Sequence, residues 1–135
     1  MTKYKVPKWV EKIISTELYQ FWDNKKALEE MCLDEIEKSV DGNNFSSAHT
    51  IQSSVENAVI RINSSRMILE TRRRLKYIEN AFKLLNNYEL EIVEIIFKER
   101  YNQKLAESQK FVSRHSYYNV KDKIIYFTAK EFGYI

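Results

Sequence analysis

Val112-Ser113-Arg114-His115-Ser116-Tyr117-Tyr118-Asn119-Val120-Lys121-Asp122-Lys123-Ile124-Ile125-Tyr126-Phe127-Thr128-Ala129-Lys130-Glu131-Phe132-Gly133 is the stretch whose reading decides the fold. Ser113 has the character of a helix N-cap, with a hydroxyl that can accept from a free N–H of the first turn. Gly133 is the corresponding stop, because it can adopt the left-handed backbone that ends many helices. Between them the spacing predicts a helix from Arg114 to about Glu131. Tyr117, Val120, Ile124, Phe127 and Thr128 recur at three- and four-residue intervals and form its core face. The opposite face carries Arg114, His115, Tyr118, Asn119, Asp122 and Lys123, with Lys121 at its edge. Donors and flat rings are therefore concentrated in the first turns.

Moving toward the N-terminus, a weaker helix is expected over residues 103 to 110, so the chain closes on a short helix, a turn and a longer helix. Residues 88 to 101 carry Leu90, Ile92, Val93, Ile95, Ile96, Phe97 and Tyr101 and predict a helix buried on most sides. Asn86-Asn87 interrupts the pattern before it. From about Ser54 to Leu85 an apolar stripe runs without Gly or Pro, which reads as one long helix or two in tandem, with Asn63-Ser64-Ser65-Arg66 polar enough to permit a bend. Trp9, Val10, Ile13, Ile14, Leu18, Phe21 and Trp22 predict a first helix after Pro7. Ala27, Leu28, Met31, Cys32 and Ile36 predict a second, beyond Asp23-Asn24. The expected organisation is an N-terminal helical hairpin over residues 1–41, a Gly-, Asn- and Ser-rich linker over 42–53, and a central helix with a C-terminal helix-turn-helix over 54–135.

Composition agrees with an all-α fold. Two Gly and one Pro in 135 residues are too few for the turns of a sheet protein. Hydrophobic residues at 44% and charged residues at 30% are ordinary globular usage. No run approaches the roughly 18 apolar residues of a membrane span, and no signal-peptide pattern opens the sequence, so a cytoplasmic protein without membrane contact is expected. Cys32 is the one cysteine; with only His49 and His115 beside it, the sequence holds no metal-ligand cluster, and Cys32 reads as a small core residue. No nucleophile, base and glycine-rich loop fall together either, so neither catalysis nor a cofactor is expected.

The net charge of +3 is unevenly spread. Residues 11 to 41 hold nine acids against four lysines, residues 61 to 83 seven bases against two acids, and residues 98 to 135 eight bases against four acids. A chain divided this way offers its basic part to a polyanion and its acidic part to another partner. Arg72, Arg73 and Arg74 spread over more than half a helical turn and cannot all meet one ligand, which makes them secondary candidates.

A short helix, a turn and a helix with polar, cationic first turns is how a helix-turn-helix presents side chains to base edges in the major groove of double-stranded DNA. The candidate contacts are Ser113, Arg114, His115, Tyr118, Asn119, Lys121 and Lys123. Spacing alone leaves open a solvated surface helix in a bundle. It also leaves open a helical protein–protein interaction module, an adaptor or inhibitor whose basic stretches are merely solvated, and, within DNA binding, a DNA-packaging subunit.

Ser53-Ser54-Val55-Glu56-Asn57-Ala58-Val59, Tyr77-Ile78-Glu79-Asn80-Ala81, Glu94-Ile95-Ile96-Phe97-Lys98-Glu99-Arg100-Tyr101, the segment from Val112 to Lys121, and Ala129-Lys130-Glu131-Phe132-Gly133 together resemble the RinA/ArpU family of phage late-gene transcription regulators. The C-terminal part of that family is similar to region four of the sigma factors. Three positions depart from its pattern: Lys110 where an apolar residue is usual, Phe111 at a turn position often small or polar, and Asn119 where a basic residue is common. The resemblance implies a DNA-binding transcriptional activator encoded by a phage or prophage. Its partners would be double-stranded DNA and RNA polymerase, and it would form a homodimer or higher oligomer. The acidic N-terminal hairpin would serve self-association or polymerase contact.

Overall fold

A computed structural model of the chain describes residues 3–41, 56–62 and 65–135. The described residues are all-α, without a strand. The helices are α1 (Lys8–Asp41), α2 (residues 56–62), α3 (Arg66–Phe82), α4 (Asn87–Val93) with a π-helical continuation Glu94–Lys98, α5 (Gln103–Lys110) and α6 (Arg114–Phe132). The expected linker over 42–53 lies outside the described residues, as do positions 63 and 64 of the expected bend.

The N-terminal hairpin is not formed. Lys8–Asp41 is one helix of 34 residues that runs straight through Asp23-Asn24. The reason lies in the size of the local penalty. Asp and Asn each cost about 0.7 kcal/mol relative to Ala in a helix interior, which interrupts nothing unless a residue also takes up a reversing conformation. The described residues with positive φ are Arg100, Phe111 and Gly133, so no such residue lies near position 23. The expected long central helix is divided instead. Residues 56–62 are helical and α3 starts afresh at Arg66, with the Ser65 hydroxyl accepting from the Ile68 N–H at 3.5 Å. Of the two readings open for this stretch, two helices in tandem is the one observed.

The chain divides into two compact units, Met1–Trp22 with Lys76–Ile135, and Asp23–Leu75. The first is built around α6. Val10, Ile14, Leu18 and Phe21 of α1 form an unbroken buried stripe at three- and four-residue spacing, and Ile78, Ile92, Val93, Ile96, Phe97, Val112, Ile124 and Ile125 are buried with them. Glu99 N–H bonds to Glu94 O at 2.8 Å, the five-residue reach that defines the π turn. Ile92, Val93, Ile96 and Phe97 are all buried along this one short segment, at the one-, three- and four-residue spacing of a single helix face. The helix ends at Lys98, before the expected Tyr101, and Arg100 adopts φ 60° as the chain leaves it. Among its described residues the second unit has a thinner interior. Ala58, Ile62, Ile68 and Leu75 are its buried apolar residues among those described.

Candidate functional site

Residues 102 to 133 form the segment singled out in the sequence. Asn102 caps α5, its side chain accepting from the Leu105 N–H at 2.8 Å. Ala106 is the buried residue of this short helix, consistent with a helix held at one point rather than along a stripe. The helix ends at Phe111, which takes the left-handed conformation with φ 58°, and Val112 N–H returns to the Ala106 carbonyl at 3.1 Å. Val112 is buried and anchors the turn, while Phe111 is 89% exposed. Ser113 then caps α6: its Oγ accepts from the Ser116 N–H at 3.1 Å and donates to Ser116 Oγ at 3.0 Å. At the far end Gly133 has φ 82°, the conformation for which glycine was expected there.

Phe111 combines two local costs, a side chain with no cover and a backbone region that disfavours residues bearing a Cβ by about 1 kcal/mol. Replacing it by glycine removes the second cost, against the larger conformational freedom glycine gives the unfolded chain. Phe111→Gly is therefore expected to raise stability by about 0.5 kcal/mol, seen as a higher urea midpoint at unchanged slope. A fall of 1 kcal/mol or more would mean the aromatic ring supports the turn.

The first two turns of α6 place Arg114, His115, Tyr118 and Asn119 in solvent beside the exposed Ser113. The Arg114 guanidinium stands 5.9 Å from the centre of the Tyr118 ring. On the inner face Tyr117 is buried and its hydroxyl donates to the Tyr101 carbonyl at 2.8 Å, tying the start of α6 to the loop between the π segment and α5. Burial, followed by the nearby Tyr19 and Tyr118 hydroxyls, pushes the Tyr117 hydroxyl above its ordinary range, so it stays a donor at neutral pH. Further along, α6 turns inward on more sides: Val120, Ile124, Ile125, Thr128 and Ala129 are buried. The expected core position Phe127 is half-buried.

The remaining expected contacts are placed differently. Lys121 is half-buried. Lys123 is held inside the unit by an ion pair, its Nζ 2.8 Å from Glu89 Oε2, and lies about 6.0 Å from the ring centres of Tyr4 and Phe127. Glu89 is a residue that sequence reasoning missed. It completes the capping box of α4, with Asn86 N–H donating to Glu89 Oε1 at 3.1 Å and Glu89 N–H donating to Asn86 Oδ1 at 2.8 Å. The Asn-x-x-Glu spacing was the available signal for the cap, but nothing local announces a partner 34 residues away.

Burial raises the Glu89 carboxyl, but the Lys123 hydrogen bond, the Asn86 N–H and the Lys123 charge outweigh it and hold the group below its ordinary value of 4.5. A carboxyl depressed on folding stabilises the folded chain above its unfolded pKa and loses that contribution as pH falls through the folded value. Glu89→Gln is expected to cost about 2 kcal/mol at pH 7, since it strips a charge-assisted bond from a poorly solvated lysine. The deficit relative to the parent should shrink in urea titrations carried below pH 4.5.

One turn beyond Tyr118 on α6, Asp122 lines a cleft of about 250 Å³ together with Tyr4, Lys5, Lys8 and Glu11. Burial and then the Glu11 charge raise the Asp122 carboxyl, with Lys121 acting in the opposite sense. Among the described residues, no group of three or more His, Cys, Asp or Glu side chains is arranged to hold a metal ion. No described helix is long and apolar enough to cross a membrane. No protein-family model, curated protein or solved structure matches this chain.

Proposed function

We propose that this chain is a sequence-specific duplex-DNA-binding transcription regulator, reading base edges with the first two turns of α6. The observation that carries the reading is the partition of that helix. Ser113, Arg114, His115, Tyr118 and Asn119 project together into solvent after a short helix and a three-residue turn, while the rest of α6 is rooted in the core. A rigid, well-capped helix with a guanidinium, an imidazole, a phenol and an amide on its free end has the donors and acceptors that major-groove readout requires. Arg114 is suited to guanine or phosphate, Asn119 to adenine, and the Ser113 cap region to a backbone phosphate. Lys123, committed to Glu89, takes no part in this reading, and Lys121 supports it from the edge.

The resemblance of the segments from Ser53 onward supports the narrower assignment, an activator of phage or prophage late genes that contacts RNA polymerase and acts in the cytoplasm. One such motif covers little surface, so specific binding calls for two copies on the DNA. The test is fluorescence anisotropy with duplex fragments from the protein's own gene neighbourhood at two salt concentrations. Preference for one fragment, weakened by salt, supports the reading. Equal weak binding to all fragments, or none, overturns it.

A helical protein–protein interaction module is the second reading. It is favoured by the exposure of Phe111, Leu33 and Leu69, large apolar side chains that no described part of the chain covers.

A further inference from the structure

Among the described residues of the second unit, two exposed helix faces are complementary to each other. On α1, Leu33 is 57% exposed and stands among Glu29, Glu30 and Glu37, which are four and three residues before it and four after. Helical geometry puts all four on one side, because positions three and four apart are surface neighbours. On α3, Leu69 is 46% exposed and stands between Arg66, three before it, and Arg73, four after; Arg72, three after, is engaged within the chain, its Nη2 3.9 Å from Cys32 Sγ of α1. One face is thus an apolar knob with an acidic rim, the other an apolar knob with a basic rim. The described residues of the unit give α1 little cover. Between Asp23 and Glu37 no residue is fully buried, and Leu28, Met31, Cys32 and Ile36 are only half-buried.

We infer that the second unit pairs with a second copy of this chain, the acidic-rimmed Leu33 face of each copy meeting the basic-rimmed Leu69 face of the other. The charge pattern selects the occupant. A foreign partner would need to match two faces of opposite sign, whereas a second copy supplies both matches through one two-fold operation. Leucine knobs inside charged rims divide the work as heptad interfaces do: apolar contact supplies affinity, and the rims fix register and orientation. The inner ion pairs Arg61–Glu35 and Arg73–Glu70 are exposed enough to exchange partners at little cost. The pairing is independent of any DNA contact.

The test is sedimentation equilibrium of the full chain without DNA, from about 1 to 300 µM, on the parent and two charge-swapped variants, Glu29→Lys/Glu30→Lys and Arg66→Glu/Arg73→Glu. The parent should associate. Each variant alone should associate at least about tenfold more weakly, since like charges then face each other. An equimolar mixture of the two variants should recover association, because each swapped face meets its new complement. A parent that stays monomeric, variants that associate like the parent, or a mixture that fails to recover would each overturn the inference. If a swapped chain does not fold by far-UV circular dichroism, Leu33→Ser and Leu69→Ser replace it. Both sites are exposed, so these changes leave the fold intact, and parent-like association by both would equally overturn the pairing. As no DNA is present, failure here leaves the regulator reading standing, and failure of DNA binding leaves this pairing standing.

Discussion

Phe97→Ala should lower the free energy of unfolding by about 3–5 kcal/mol, a large part of the roughly 5–15 kcal/mol that holds a domain of this size together. Phe97 is fully buried, sits in the π turn, and packs edge-on against Tyr19 with ring centres 4.9 Å apart. Removing the ring leaves a cavity bounded on one side by α1 and on the other by the same short segment that carries Ile92, Val93 and Ile96. Phe97→Leu keeps most of the volume and should cost about 1–1.5 kcal/mol. Urea titration followed by far-UV circular dichroism measures both. A loss below 1 kcal/mol for the alanine variant would mean that the π turn relaxes to ordinary helix when the ring is gone.

Arg114→Ala should weaken specific duplex binding by about 1–3 kcal/mol, or roughly five- to 150-fold, while leaving thermal stability unchanged. The side chain is exposed at the first position of α6 and makes its ring contact with a neighbour that is itself exposed. If Arg114 meets a phosphate, the slope of log K against log salt should become shallower by about one and all fragments should suffer alike. If it meets a guanine, discrimination at one base pair should relax while the salt slope holds. Loss of binding accompanied by a lower melting temperature would point instead to a disturbed α6.

The parts of this fold that could be read in the sequence are those fixed by chemistry within a few residues. Asn102, Ser113 and Gly133 act through their own side chains or their own φ, and α5 and α6 accordingly fall at Gln103–Lys110 and Arg114–Phe132, as expected within a residue or so. The core face of α6 was legible for the same reason at Tyr117, Val120, Ile124 and Thr128. Decisions made by distant partners were not. Asp23-Asn24 reads as an interruption because both residues are poor helix formers, yet their combined penalty is small beside the apolar stripe that continues on either side. Lys123 reads as a surface cation because it stands one turn beyond the exposed Asn119, at the border of the core stripe, and nothing local announces Glu89 on the capped α4 that holds it inside. Ile125 and Ala129 fall off the expected stripe, and they are buried because α6 is surrounded beyond its second turn. The π turn had no local signature, since its apolar pattern is equally that of an ordinary buried helix.

The way α6 is shared between solvent and core also sets how freely it can be changed. Positions 114, 115, 118 and 119 are exposed and the helix register is fixed elsewhere, by Ser113 at the start and Tyr117, Val120 and Ile124 beneath. A library randomised at those four positions should retain most of its members as folded protein, because surface substitutions seldom move stability by more than about 0.5 kcal/mol. The same randomisation at 120, 124, 125 and 128 should leave few. The helix thereby separates freedom of substitution from foldability along its length: its free end can be varied while its rooted end holds the fold.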